Sequence, residues 1–181
     1  MDIKELIKNG TFERGYRKCT LPVSLNPAIA FALNHLAGLD ENDRILDPFC
    51  GAGTVLIERY LLKPAICIGV DIDPRALECA KENILAAGVK IELKHGDIRE
   101  KKFPNNYFTK IISNLPYGIH SGSREHNLKL YRFLADSATT WLKVGGRVVL
   151  LTSSKNLLRN SFAKNTNWLL EEEISFVSGG L

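Results

Sequence analysis

Asp47-Pro48-Phe49-Cys50-Gly51-Ala52-Gly53-Thr54 lies where a short apolar run, residues 44–47, gives way to a segment of helical spacing, residues 54–62. Few folds accommodate such a turn. Two glycines separated by one residue let the backbone bend sharply and let a ligand approach it closely. A strand running through such a turn into a helix is the unit of a parallel sheet wrapped by helices, and the rest of the chain keeps that rhythm. Residues 65–70 read as a fully buried second strand, since every position is apolar or small. Asp73-Pro74 opens a helix marked by Leu77, Ala80, Ile84 and Ala87, and Gly88 ends it. Val89, Ile91 and Leu93 alternate with polar residues, as in a half-exposed third strand at a sheet edge. Residues 108–113 form the fourth strand.

A long helix follows with Leu128, Tyr131, Leu134, Ala135, Ala138, Trp141 and Leu142 on one stripe, and Gly145-Gly146 turns the chain into a fifth strand, residues 147–151. Residues 155–164 are a weaker helix and 168–177 a last strand. Upstream, Asn26 caps a first helix with Pro27 in its first turn and Ala30, Leu33 and Ala37 on one face, up to Gly38. The expected class is α/β, a mostly parallel twisted sheet with helices on both faces. The 181 residues amount to one domain, residues 26–181, behind an extension of residues 1–25.

Composition excludes several alternatives. Hydrophobic residues make up 45% and charged residues 24%, near the globular average, which removes disordered and fibrous classes. Apolar runs such as residues 66–70 are far short of a membrane span, and the first ten residues alternate in charge with no signal-like stretch, so a cytoplasmic location is expected. Cys19, Cys50, Cys67 and Cys79 show no C-x-x-C and no histidine at ligand spacing; they are read as buried reduced thiols, with no metal site. The net charge of +4 permits a polyanionic partner.

A dinucleotide turn wants a third glycine where Leu56 stands, so NAD fits poorly. Asp71, twenty residues after Gly51, is placed to accept hydrogen bonds from both hydroxyls of a ribose. Asp97 closes the third strand, where it can accept from an adenine amino group with Ile98 against the ring. Ribose and adenine without a pyrophosphate clamp point to S-adenosylmethionine. Asp73 is read as a helix cap.

The fourth strand runs into Ser113-Asn114-Leu115-Pro116-Tyr117-Gly118. With the glycine turn before it, this segment resembles the class I S-adenosylmethionine-dependent methyltransferases that act on amino groups. It is most similar to RNA methylases that usually carry an N-terminal THUMP domain and methylate the exocyclic amine of guanine, chiefly in tRNA. The resemblance extends from about residue 15 to the end of the chain and implies a Rossmann-like fold. It also implies that Asp47, Gly51 and Gly53 wall the methionine part of the cofactor, with Pro48, Cys50 and Thr54 in the same turn. Asp71 with Ile72 would hold the ribose side, and Asp97 with Ile98 the adenine. Asn114 would accept from the target amine, Pro116 would accept through its backbone carbonyl, and Tyr117 would stack on the flipped base; Asn114 also touches the cofactor. An aromatic amine shares its lone pair with the ring, so two acceptors are needed to aim that pair at the methyl group. The base must first leave its stack, and an aromatic platform offsets part of that cost.

Other readings stay open: an rRNA guanine-N2 methylase, a DNA amino-methyltransferase, a protein glutamine methylase, or a non-catalytic cofactor- and RNA-binding subunit. The DNA class reverses the order of the two motifs, and the glutamine methylases usually lack Asp-Pro-Phe. Two departures from the family set further expectations. Only about 25 residues precede the first methylase helix, too few for a THUMP module, so RNA is bound by the domain alone or with a partner chain or second copy. The sheet of the class normally ends in an antiparallel hairpin, whereas Gly179-Gly180-Leu181 falls where its last strand should begin; a missing last strand, lower stability and an open edge able to pair with a second copy follow. Candidate RNA contacts are Arg14, Arg17, Lys18, His120, Arg124 and Lys129, whereas Arg99-Glu100-Lys101-Lys102 reads as a solvated loop.

Overall fold

The computed structural model describes residues 13–116 and 124–176. Helix α1, Pro27–Ala37, starts as its sequence predicts: the Asn26 side chain accepts from the Ala28 amide and Pro27 takes the first helical position. Strand β1, Arg44–Asp47, leads through the glycine turn into α2, Thr54–Leu62. Then come β2, Ile66–Asp71, and α3, Pro74–Ala87, capped by Asp73, whose carboxylate accepts from the Arg75 amide. Strand β3, Glu92–His95, a 3-10 turn at Ile98–Glu100, β4 at Phe108–Asn114, α4 at Arg124–Trp141, β5 at Leu142–Leu151 and α5 at Lys155–Phe162 complete the order.

All four strand pairs are parallel, in the order β3-β2-β1-β4-β5. Alternation along each strand divides the core. Ile45, Cys67 and Ile112 face α1, α2 and α3, whereas Leu46, Ile68 and Ile111 face α4 and α5. The order reverses between β1 and β4, and a crevice for a ligand opens beyond the carboxyl ends of the strands at such a reversal. Strand β5 is the outer strand on that side of the described sheet.

The structure corrects several expectations. The third strand lies at the sheet edge but is Glu92–His95, pulled toward its C-terminus by pairing of Ile68 to Asp71 with Glu92 to His95. Gly145-Gly146 does not precede β5 but lies within it: Phe108 pairs with Leu142 and Lys110 with Arg147, so residues 143–146 bulge opposite Thr109. On α4, Asn127 and Leu130 are buried while Leu128 is half-buried, and Leu142 opens β5. Residues 168–176 form no strand. The charges of that segment draw it onto α5, where Glu173 pairs with Lys155 and Arg159, and the Trp168 indole donates to the Ala135 carbonyl at 2.9 Å. Finally, Cys19 and Cys79 are joined as a disulfide, leaving Cys50 and Cys67 as buried free thiols. The sequence separation of 60 hid the partnership, because only folding brings the segment around Cys19 against α3.

Candidate active site

The glycine turn is laid directly on the end of β2. The Cys50 amide donates to the Val70 carbonyl at 2.9 Å and the Gly51 amide to Asp71 Oδ2 at 2.8 Å. Gly51 and Gly53 take φ values of 52° and 80°, in the left-handed region. Gly69 in β2 makes the approach possible, for a Cβ there would stand 2.9 Å from the Cys50 sulfur. Pro48, Cys50 and Thr54 are buried, so their side chains support the turn from below. Burial pushes the Cys50 thiol well up, which makes it inert.

Asp47, at the end of β1, is 1% exposed. Its Oδ1 accepts from the Ser113 hydroxyl at 2.6 Å and from the Phe49 amide at 3.1 Å, which ties β1 to β4 one residue before Asn114. Burial pushes this carboxyl up to about 7, against those two bonds, and the charge of Asp71 adds to the rise. Burial likewise raises Asp71, although the amides of Asp73 and Gly51 bond to it. One Asp71 oxygen thus holds the glycine turn and the other the cap of α3. The next residue, Ile72, exposes 64% of its surface, an apolar side chain left open beside a carboxylate. Asp97 caps the 3-10 turn and is gripped by Arg99, which holds its carboxyl below the usual range. Ile98 is buried in the core beneath.

Asn114 is the last residue of β4. Its side-chain oxygen is buried and accepts no hydrogen bond among the described residues, a state that is costly for a buried acceptor. Two residues on, the Pro116 carbonyl accepts from the Tyr131 hydroxyl at 2.7 Å, and that hydroxyl also faces Thr152 Oγ1 at 3.1 Å. The Leu115 amide donates to the Leu151 carbonyl at 2.9 Å, and its side chain is 1% exposed, so the loop leaves the sheet from a fixed point. Tyr117 and His120 lie outside the described residues. The structure therefore gathers Gly51, Gly53, Asp71, Ile72 and Asn114 at the carboxyl edge of the sheet, with Asp47 buried between β1 and β4.

Three contributors were not legible as such in the sequence. Tyr131 sits on an apolar stripe and reads as core, yet a fully buried hydroxyl demands a partner. Asn83 is a polar residue on the buried face of α3; its Oδ1 accepts from the Lys18 and Cys19 amides, and its Nδ2 donates to the carbonyls of Cys19 and Ala52. Glu58, 1% exposed on α2, accepts two bonds from the Arg14 guanidinium and one from the Tyr16 hydroxyl. Arg14, a candidate for RNA, is thereby bound inside the fold.

Comparisons with known proteins identify the family. Residues 14–180 match a family model described as UPF0020, RMKL-like, methyltransferase domain. The chain is 30% identical, over 93% of its length, to tRNA (guanine(6)-N2)-methyltransferase of Methanocaldococcus jannaschii, covering 55% of that protein. It is 37% identical, over 71% of its length, to tRNA (guanine(10)-N2)-dimethyltransferase of Methanothermobacter thermautotrophicus, covering 38% of it. In structure it is similar to TrmN from Thermus thermophilus, with a TM-score of 0.71 and 33% identity, covering 81% of this chain and 44% of that one. The chain spans about half the length of the relatives it matches. The chain is therefore a member of the RMKL-like methyltransferase-domain family.

Proposed function

We propose that this chain transfers a methyl group from S-adenosylmethionine to the exocyclic N2 of a guanine in RNA, tRNA foremost. The observation that carries this reading is the buried, unpartnered side-chain oxygen of Asn114 at the end of β4. The residues fit the methyl donor. A backbone turn with two left-handed glycines, a carboxylate at the end of β2 and an exposed isoleucine after it offer a narrow approach, a ribose acceptor and an apolar platform. Bound there, S-adenosylmethionine would supply an electrophilic methyl group on a positive sulfur.

The protein's own part is placement. The Asn114 oxygen accepts one hydrogen of the target amine and the Pro116 carbonyl the other, which draws the nitrogen lone pair out of conjugation. As the nitrogen–carbon bond forms and the carbon–sulfur bond breaks, the nitrogen gains positive charge and its proton becomes acidic. The same two acceptors face that proton, and no stronger base is needed. Tyr117 follows Pro116 and provides the stacking surface for the unstacked base. Relatives are named for tRNA, U6 snRNA and large-subunit rRNA, which supports RNA as the substrate class. Among the described residues no helix is long and apolar enough to cross a membrane.

The test is transfer of labelled methyl to unmodified tRNA transcripts, with digestion and nucleoside analysis. Wild type is expected to place label on N2 of guanosine. Asn114→Ala is expected to lose about a hundredfold in rate and to keep cofactor affinity. Label in another nucleoside, or equal turnover by Asn114→Ala, overturns the proposal.

A further inference from the structure

We infer that the groove between α4 and α5 is an RNA-backbone site, in which Arg124 and Arg132 hold phosphates flanking the target nucleotide. This deepens the guanine-N2 reading and rests on it. The groove encloses about 440 Å³ and is lined by Arg124, Glu125, Leu128, Arg132, Leu157 and Asn160. Arg124, Leu128 and Arg132 recur every fourth residue, so they share one face of α4. The two arginines stand about 12 Å apart along the axis, a span longer than one phosphate.

Three observations select the occupant. The first is position. Helix α4 is the first described element after Pro116, α5 begins just past the carboxyl end of β5, and the Tyr131 hydroxyl joins Pro116 to Thr152 between them. The first turn of α4 also lies within electrostatic reach of Asp97, through His126. The groove therefore opens at the edge of the sheet that carries Asn114.

The second observation is charge. Lys129 is matched by Glu125 at 2.9 Å, and Lys155 and Arg159 are both matched by Glu173. Arg124 and Arg132 have no ion pair or hydrogen bond among the described residues, and both are exposed. The one carboxylate in the groove, Glu125, is already neutralised. What remains is a pair of guanidinium forks, which match phosphate oxygens two at a time. The third observation is the apolar floor of Leu128 and Leu157, which suits a ribose or base edge between phosphates and is of no use to a free anion.

The experiment uses the full chain and a fluorescently labelled, unmodified tRNA transcript, with anisotropy read over a series of salt concentrations. Arg124→Gln with Arg132→Gln is expected to weaken binding by about tenfold per charge near 0.1 M salt. The slope of log affinity against log salt should fall by about 1.4 to 1.8. Cofactor affinity and melting temperature are read in parallel. Arg124→Lys with Arg132→Lys keeps both charges and is expected to restore the slope; this variant keeps the test informative if the glutamine pair melts lower. The proposal is overturned by an unchanged slope in the glutamine variant, by failure of the lysine variant to restore it, or by a wild type that does not bind RNA. Displacement of the RNA by poly-glutamate at equal charge concentration overturns it in favour of an acidic protein partner. Failure of the guanine reading is a different result: arginine-dependent RNA binding persists while no label reaches guanosine.

Discussion

Asp47→Asn should make the protein more stable, and only above a certain pH. The substitution keeps the shape of the side chain and leaves an Oδ1 that can accept from the Ser113 hydroxyl and the Phe49 amide, so both bonds described for the carboxylate survive. What it removes is a charge in a site that is 1% exposed. The folded protein holds the Asp47 proton to about pH 7, whereas a free aspartate carboxyl gives it up near 3.8. Folding therefore takes up a proton between those values, and the stability contributed by this group falls as pH rises through the window. The slope is about 1.4 kcal/mol per pH unit, which reaches about 4 kcal/mol by neutral pH and then levels off. Asp43 titrates in both proteins and cancels in the difference. Urea denaturation followed by tryptophan fluorescence at pH 4.5, 6, 7 and 8.5 reads the gap directly. Wild type and variant should nearly coincide at the lowest pH and diverge by several kcal/mol at the highest. A gap that does not change with pH, or a variant less stable at pH 8.5, would show that the Asp47 proton is not held by burial.

Tyr131→Phe deletes the hydroxyl that orients the Pro116 carbonyl; losing one net hydrogen bond should lower kcat by about threefold to tenfold, with KM for RNA and cofactor affinity unchanged. Intact kcat with a lower melting temperature would assign Tyr131 to packing alone. Reducing the Cys19–Cys79 disulfide, which closes a separation of 60 residues, should cost about 4 kcal/mol. That corresponds to a fall of about 10 °C in Tm, checked by calorimetry with and without reductant; a melt indifferent to reductant refutes the expectation.

The parts of this structure legible in the sequence are those decided within a few neighbouring residues. Asn26 and Asp73 cap their helices because the bonds they make reach only two residues ahead. The two glycines, read as a turn that lets a ligand approach the backbone closely, take left-handed conformations in the structure. The order of glycine turn, Asp71 and Asn114 was readable because each closes a strand, and parallel strands bring their carboxyl ends to one edge. What escaped were the partnerships across long separations. Glu58 and Asn83 looked like ordinary helical residues until Arg14, Tyr16, Lys18 and Cys19 arrived from 42 to 65 positions away. Asp43 is another case: although burial opposes it, Lys110, Arg59 and Thr109 converge on its carboxyl and hold it at about 2. The segment after Trp168 misled for the opposite reason, since its aliphatic residues suggested a strand while Glu173 was drawn to Lys155 and Arg159.

Asn83 gives the molecule a property that none of its neighbours has alone. One amide group grips the backbone of Lys18 and Cys19 with its oxygen, and Cys19 and Ala52 with its nitrogen. Ala52 lies between the two glycines on which the methyl donor would rest. The segment around Cys19 and the glycine turn are therefore joined through Asn83, beside the Cys19–Cys79 disulfide that ties the same segment to α3. A shift at Cys19 is thereby passed to Ala52 through one side chain as well as to α3 through the disulfide, by routes that do not cross the sheet.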